Sequence, residues 1–316
     1  MKNVIKIFVF SALSAATVLI STAPCLASAP FTLDTARAAA AKGDADAEYF
    51  LGQSYASGQG VGRDYAAAAG YYRQSADQGY APAQAALASC YARGLGVTQD
   101  MDQAIEWYRK AATQGDALGQ YCLGYAYANG KGVPQDMDQA LKWWHQSAEQ
   151  GQVYAENALG QFYMNGQNPQ DTKDINYTEA AKWLQKAADQ GYPGAMNSLG
   201  FLYQNGSGVP KDFSQAVKWY RRAAELGDGN AQANLGQMYE DGEGVPFDKV
   251  EAYKWYSLSA EQGNSFGRHY CDEYDLLKVL TPEQMAEAQK RVDQFHAWQQ
   301  TNQPAARPET RSSSSH

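Results

Sequence analysis

His269 and Cys271 lie two residues apart near the C-terminal end, followed by Asp272 and Glu273. A histidine beside a thiol can draw off its proton and make a nucleophile, and His, Cys and Asp together can hold a metal ion. On a helix, however, residues two apart point in different directions, so the pair reads as structural. Asp171, Asp174 and Asn176 offer oxygen ligands of the kind calcium prefers, but their spacing is not that of an EF-hand and its closing Glu is missing. They read as a plain elongated loop. Gly-x-Gly-Val runs begin at Gly130, Gly206 and Gly242 and resemble a phosphate cradle. No strand precedes them, and their recurrence identifies them as turns. The four histidines are His145, His269, His296 and His316, and none is spaced for a nucleophile–base pair. The chain is therefore expected not to be an enzyme and to use no metal or cofactor.

Cysteine chemistry is equally sparse. Cys25 falls in the leader described below, leaving Cys90, Cys122 and Cys271. Three cysteines at irregular spacing are not a disulfide framework. They read as small buried hydrophobes, with a Cys90–Cys122 bridge between adjacent repeats as the open alternative.

The elements that position all these residues recur. Gly79, Gly115, Gly151, Gly191, Gly227 and Gly263 are separated by 36, 36, 36, 40 and 36 residues. Leu51, Leu87, Leu123, Leu159, Leu199 and Leu235 keep the same spacing, including the four-residue insertion. Each unit reads as two helices. The first carries Leu-Gly with Tyr four residues after the Leu, as in Leu199-Gly200 and Tyr203, all on one helical face. Its small residue lets another helix approach closely. A glycine-rich turn ends it, and Asp100, Asp136, Asp212 or Asp248 then stands where the second helix needs an N-cap. The second helix spaces an Ala, an aromatic pair and a small pair as one buried stripe, as in Ala216, Trp219-Tyr220 and Ala223-Ala224. One such pair of helices cannot bury its aromatic face alone, but stacked copies bury one another's. The expected fold is all-α: an α-α superhelix, or solenoid, of about six 36-residue helix-turn-helix units with helical caps and an extended concave surface. Six of the seven Trp fall in the seam and read as core, not as a ligand cage.

The ends have their own signatures. Lys2 and Lys6, the apolar run Ile7 to Ile20 and the small residues after it follow the order of a secretory signal peptide, with a mature start expected at Ser28. Thr22-Ala23-Pro24 before Cys25 is a poor lipoprotein signal. The expected organisation is a signal peptide over 1–27, a capping helix over 28–44, and six repeats over 45–263. A degenerate repeat with a capping helix follows over 264–300, and a disordered tail over 301–316. Thr281, Pro282 and Gln284 carry the N-terminal signature of the last helix. No later segment holds the ~20 apolar residues of a membrane span, so no membrane insertion is expected after signal cleavage. The destination is periplasmic or secreted. A net charge of -8 offers no basic surplus for phosphates, which argues against nucleic acid as partner.

The fifth unit carries Ala195, Leu199, Gly200, Tyr203, Gly206, Gly208, Val209, Asp212, Ala216, Trp219, Tyr220, Ala223, Ala224 and Gly227. That pattern resembles the Sel1-like repeat, a relative of the tetratricopeptide repeat, over about Ala45 to Gly263. The resemblance implies an adaptor or scaffold that binds another protein. It also implies the roles of exported bacterial members: envelope signalling or polysaccharide export, host-protein binding, or immunity against secreted effectors. A cysteine-rich subgroup staples each unit with a disulfide and is linked to beta-lactam binding; that bridge would need Cys near Ala112 and Gln120, and neither is Cys. A cell-wall ligand binder or envelope hydrolase is the alternative kept beside the adaptor.

In related repeats the first helices line the concave face. By that analogy the inward stripe is Tyr49, Gln53, Ser89, Arg93, Tyr121, Tyr125, Asn129, Asn157, Gln161, Asn165, Asn197, Phe201, Asn205, Gln237 and Asp241. Amide side chains donate and accept together, and aromatic rings add contact area at low entropy cost, so the stripe is expected to bind a segment of a protein partner. Asn129, Asn165 and Asn205 directly precede Gly, an ordinary helix-ending turn, so each taken alone reads as a cap before it reads as a binding residue. Tyr121, Tyr125 and Phe201 are the aromatic anchors expected in the groove.

Overall fold

The computed structural model describes residues 31–166, 175–272 and 280–302. The expected signal peptide, Asp171, Asp174, Glu273 and all of the tail beyond Asn302 lie outside these residues. Among the described residues there are fifteen helices and no strand.

After α1 (Leu33–Ala40), six helix pairs follow in strict alternation: α2 (Ala45–Ser57) with α3 (Tyr65–Asp77), α4 (Ala81–Arg93) with α5 (Met101–Thr113), and α6 (Ala117–Asn129) with α7 (Met137–Glu149). Then come α8 (Val153–Asn165) with α9 (Tyr177–Asp189), α10 (Pro193–Asn205) with α11 (Phe213–Glu225), and α12 (Gly229–Asp241) with α13 (Lys249–Glu261). A short α14 (Ser265–Asp272) and the long α15 (Pro282–Asn302) complete the chain. The residues divide into two compact units, one ending at Ala155 and one beginning at Glu156. In the first unit each helix from α1 to α7 packs on the next, and in the second α9 to α14 do the same with α15 on α13, which is the α-α solenoid.

Five of the six second helices start at an Asp N-cap, and α9 starts at Asn176. Asp100 accepts from the Gln103 amide at 3.0 Å, Asp136 from Gln139 at 3.0 Å and Asp212 from Gln215 at 3.0 Å. Most first helices end on a left-handed glycine, such as Gly130 at φ 63°. Within a pair, the helices close on the Leu-Gly glycine. A methyl group at Gly52 would stand 2.5 Å from the Tyr72 ring, at Gly124 2.6 Å from Trp144, and at Gly200 2.7 Å from Tyr220. Gly160 receives Leu184 in the same way. Between pairs, the second turn glycine meets the neighbouring main chain at Gly96, Gly208 and Gly244, and side chains at Gly60 and Gly132. A Cβ on Gly208 would overlap the Tyr177 carbonyl, and one on Gly244 would stand 2.5 Å from the Phe213 oxygen.

Hydrogen bonds repeat in the same register. Ser75 Oγ donates to the Ala45 carbonyl at 2.7 Å, Ser147 to Ala117 at 2.6 Å and Ser259 to Gly229 at 2.6 Å. All three serines are fully buried, so each hydroxyl ties the end of a second helix to the start of its first. The Tyr108 hydroxyl pairs with Ser89 Oγ at 3.0 Å, Tyr220 donates to Gln204 at 2.8 Å and Tyr256 to Glu240 at 2.7 Å. Tyr72, equally buried, has no partner for its hydroxyl.

The ends are covered. On the N-terminal side, Ala36 of α1 packs on Ala47 and Leu51, and Phe31 on Phe50. At the other end, Thr281 and Gln284 exchange reciprocal hydrogen bonds of 2.9 and 3.3 Å to start α15. Phe295 of α15 meets Trp255 edge-on at 5.3 Å. Arg291 bridges Asp248 at 3.2 Å, Glu251 at 2.9 Å and Glu287 at 3.2 Å. Helix α15 runs through Thr301 and Asn302, where the sequence suggested a disordered tail. Its last turn is held in part by the bond from Gln299 to the Glu225 carbonyl at 3.5 Å.

Two measurements check the packing. Gly200→Ala is expected to lower stability by ~1–3 kcal/mol through overpacking against Tyr220. Gly70→Ala, in the middle of α3 with open space around it, should raise stability by ~0.5–1 kcal/mol. Thermal denaturation giving the two changes the same sign would refute the ring-on-glycine seam. In the same assay Tyr72→Phe should leave stability unchanged or raised, whereas Tyr220→Phe should lose ~1 kcal/mol with its Gln204 bond.

Candidate functional site

The residues capable of covalent chemistry are not assembled for it. Cys90 and Cys122 are free thiols, so the bridge left open by the sequence is not formed. Burial pushes the Cys90 thiol up to about 11 and the Cys122 thiol up to about 12, opposite to what a nucleophile needs. His269 is exposed while Cys271 is buried 3.7 Å from Ser257 Oγ, so the two face apart. Among the described residues, no three metal-ligating side chains converge. Asn176 serves as the N-cap of α9, accepting from the Glu179 amide at 3.1 Å.

The stripe on the first helices is built differently in the two units. In the first, Tyr49 is half-buried, 5.8 Å from the Tyr72 ring and 5.4 Å edge-on from Tyr80. Gln53 Nε2 donates to the Tyr49 hydroxyl at 2.9 Å. Burial and the neighbouring Asp46 push the Tyr80 hydroxyl up to about 12. Asp116, the N-cap of α6, accepts from the Gly119 amide at 2.6 Å, and burial raises its carboxyl above the usual range. Its field reaches both Tyr49 and Tyr80. Arg93 ends α4, half-buried. Ser89 is buried and turned to Tyr108. Tyr121 is only 3% exposed: Tyr125 at 6.4 Å and Tyr154 at 5.6 Å enclose its ring. It is a core residue, and Tyr125 is the half-buried member of the pair. Lys131 Nζ lies 5.1 Å from the Tyr125 ring centre. Asn129 donates back to the Tyr125 carbonyl at 2.8 Å, an ordinary helix-ending bond.

In the second unit the stripe is a series of amides that bridge neighbouring first helices. Gln161 Nε2 donates to Ser198 Oγ at 2.7 Å. Asn234 Nδ2 donates to Asn197 Oδ1 at 2.9 Å. Asn165 donates to Gln161 at 3.4 Å, and Asn205 to the Phe201 carbonyl at 2.8 Å. Asn157 is 7% exposed. Phe201 stands out among them, 45% exposed, with Gln237 half-buried and Asp241 exposed at the end of α12.

Sequence reasoning missed Tyr80, Asp116 and Tyr154, which flank the stripe from the helix starts, and Ser198 and Asn234, which bridge it. The signal was present. Tyr80 and Asp116 hold one register 36 residues apart, and Ser198 and Asn234 hold another two residues before the Leu-Gly glycine.

The Asp116 carboxyl makes a pH prediction. Its folded pKa is raised, so the ionised form is disfavoured and stability falls as pH rises from about 3.9 through the folded value. Asn caps as well as Asp without carrying the charge. Asp116→Asn is therefore expected to match the wild type in acid and exceed it at neutral pH, in denaturant titrations at several pH values. A variant less stable at neutral pH than in acid, relative to wild type, would contradict this.

The sequence matches the family model of the Sel1 repeat at residues 45–80, 81–116, 117–152, 153–192, 193–228 and 229–264. No curated protein matches the chain. Among solved structures, a Sel1 repeat protein from Oxalobacter formigenes is 32% identical with a TM-score of 0.66, covering 83% of this chain and 99% of its own. A protective antigen with an SLR fold from uropathogenic Escherichia coli strains is 28% identical, with a TM-score of 0.39, covering 88% of this chain and 76% of its own. An immunity protein from Pseudomonas aeruginosa is 22% identical, with a TM-score of 0.45, covering 71% of this chain and 83% of its own. The six matched repeats, the unbroken alternation of helix pairs and the Oxalobacter formigenes likeness place this chain in the Sel1 repeat family, whose members are protein-interaction modules.

Proposed function

We propose that this chain is an exported interaction module that binds a protein partner along the concave face formed by its first helices, in an envelope regulatory or immunity-type role. The observation that carries this reading is Phe201, a large apolar side chain 45% exposed among amides on the first-helix stripe. Amides that can both donate and accept suit a polypeptide's main chain, and an exposed ring among them suits one apolar side chain of it. Membership of an interaction family supports the choice of a protein over a small molecule. Delivery rests on residues 1–27, whose charged, apolar and small-residue regions follow one another as in a cleaved leader, giving a periplasmic or secreted product. No observation favours the hydrolase: Ala112 and Gln120 stand where the cysteine-rich subgroup has its bridge, and Cys90, Cys122 and Cys271 are buried.

The test is capture from an envelope extract on immobilised wild-type protein and on Phe201→Arg, with unfolding curves confirming that the variant folds. One protein held by the wild type and reduced at least about tenfold on the variant supports the groove. Equal retention by both would place the binding surface elsewhere.

A further inference from the structure

One buried place in the repeats holds an amide in some copies and an acid in others. Gln84, Gln120 and Gln232 each stand three residues before the repeat leucine, and all are buried. Each donates Nε2 to a main-chain carbonyl eight residues earlier: Gln84 to Ala76 at 3.2 Å, Gln120 to Ala112 at 3.3 Å and Gln232 to Ala224 at 3.1 Å. At the first two, Oε1 of the same amide accepts from the glutamine that follows the paired second helix, Gln114 at 2.7 Å and Gln150 at 2.8 Å. The amide thus ties the start of its own helix to the end of the preceding one.

In the first repeat the place is taken by Glu48, 5% exposed. Its Oε2 accepts from Gln78 Nε2 at 2.7 Å, and Gln78 follows α3 as Gln114 follows α5. The turn ahead of it has the same bonds: Gly43 donates to the Ala40 carbonyl and Asp44 to Ala39, as Gly115 does to Ala112 and Asp116 to Ala111. With one carboxyl oxygen held by Gln78, the other falls where the amides carry Nε2, toward the carbonyl of Ala40, the last residue of α1. A carboxylate oxygen repels that carbonyl, whereas a protonated carboxyl donates to it as the amides do. Burial pushes the Glu48 carboxyl above its usual range; the Asp44 carboxylate adds to the push and the Gln78 bond opposes it. Among the described residues no cation pairs with it. Arg37 of α1 is turned to Asp34 at 3.4 Å, Arg73 of α3 bonds to the Tyr91 hydroxyl, and Lys42, Asp46 and Asp77 are exposed.

We propose that a proton on Glu48 completes the contact between α1 and the first repeat, so that α1 is clasped in acid and loosened once the carboxyl ionises. The clasp is fully closed below about pH 4.3, the ordinary glutamate value, and is lost as pH rises through the higher folded value. Helix α1 covers Ala47 and Leu51, both fully buried, so its loosening bares the apolar face on which the stack begins.

The test is hydrogen exchange of the α1 amides, Ala36 to Ala41, between about pH 4 and about pH 8, each rate divided by that of an unstructured chain. In acid, wild type and Glu48→Gln should be equally protected. At neutral pH the variant should be about five- to tenfold more protected in α1, the worth of one hydrogen bond. Glu156→Gln makes the same change at another buried acid, which accepts from Gln190 at 2.7 Å, and should follow wild type in α1. Equal protection of α1 at neutral pH in wild type and Glu48→Gln overturns the proposal, as does lower protection of the variant at every pH. A gain as large in Glu156→Gln, or one shared by all helices, also overturns it, because the carboxyl then acts on the whole fold and not on α1. Should Glu48→Gln fail to fold, wild-type protein decides alone: protection of α1 relative to α4 falls with a single midpoint above about pH 4.3 if the clasp exists and stays constant if it does not.

Discussion

The fold depends on a ring lying where a side chain is absent. In five of the six pairs the first helix has glycine after its leucine, and the second helix sets a Tyr, Trp or Leu side chain into the space. The helices can then approach closely, and an aromatic group too large for a shallow interface becomes fully buried, as Tyr72, Tyr220 and Tyr256 are. The second pair shows the tolerance of the device. Ala88 replaces the glycine there, and Tyr108 takes the ring position with its hydroxyl paired to Ser89. Because the seam uses one face of each helix, the opposite face of the first helices is free to be polar. The stripe is a by-product of how the core is closed.

Much of this was legible before any coordinates. The 36-residue period located the helices and turns, and Asp100, Asp136, Asp212 and Asp248 identified N-caps, since a carboxylate at that place satisfies amides that have no other partner. Thr281 and Gln284 announced α15 by the same logic. Periodicity places a residue on a face but does not say how deep it sits. Tyr121 and Tyr125 share a face, yet Tyr121, its ring 5.6 Å from Tyr154 near the start of the following first helix, is 3% exposed and Tyr125 is half-buried. Depth is set by the size of a neighbour in the next repeat, and that is a property of pairs of repeats. For the same reason the bridging roles of Ser198 and Asn234 were not legible: each hydrogen bond spans 37 residues, which matches neither the 40-residue spacing of its repeat in the first case nor the 36-residue spacing in the second.

Polar groups in this chain divide by whether the protein completes them. The serines at 75, 147 and 259 and the tyrosines at 108, 220 and 256 find partners within the repeat array, and they rigidify it. The described thiols are buried. Beside them stands a strip of amides and rings on one helix set, Phe201 the most exposed ring of them. This agrees with a family of interaction modules.

The joint between pairs has a consequence for how such a chain changes over generations. At three joints the second turn glycine of one repeat rests on the neighbour's main chain, at Tyr65 for Gly96, Tyr177 for Gly208 and Phe213 for Gly244. Main-chain atoms are the same whatever residue supplies them. A gene segment encoding one repeat can therefore be copied, lost or exchanged and still find a matching seat, provided its glycine is kept. The face that meets a partner is thereby released to diversify one module at a time, while the hinge that aligns the modules is written in atoms that point mutation cannot alter.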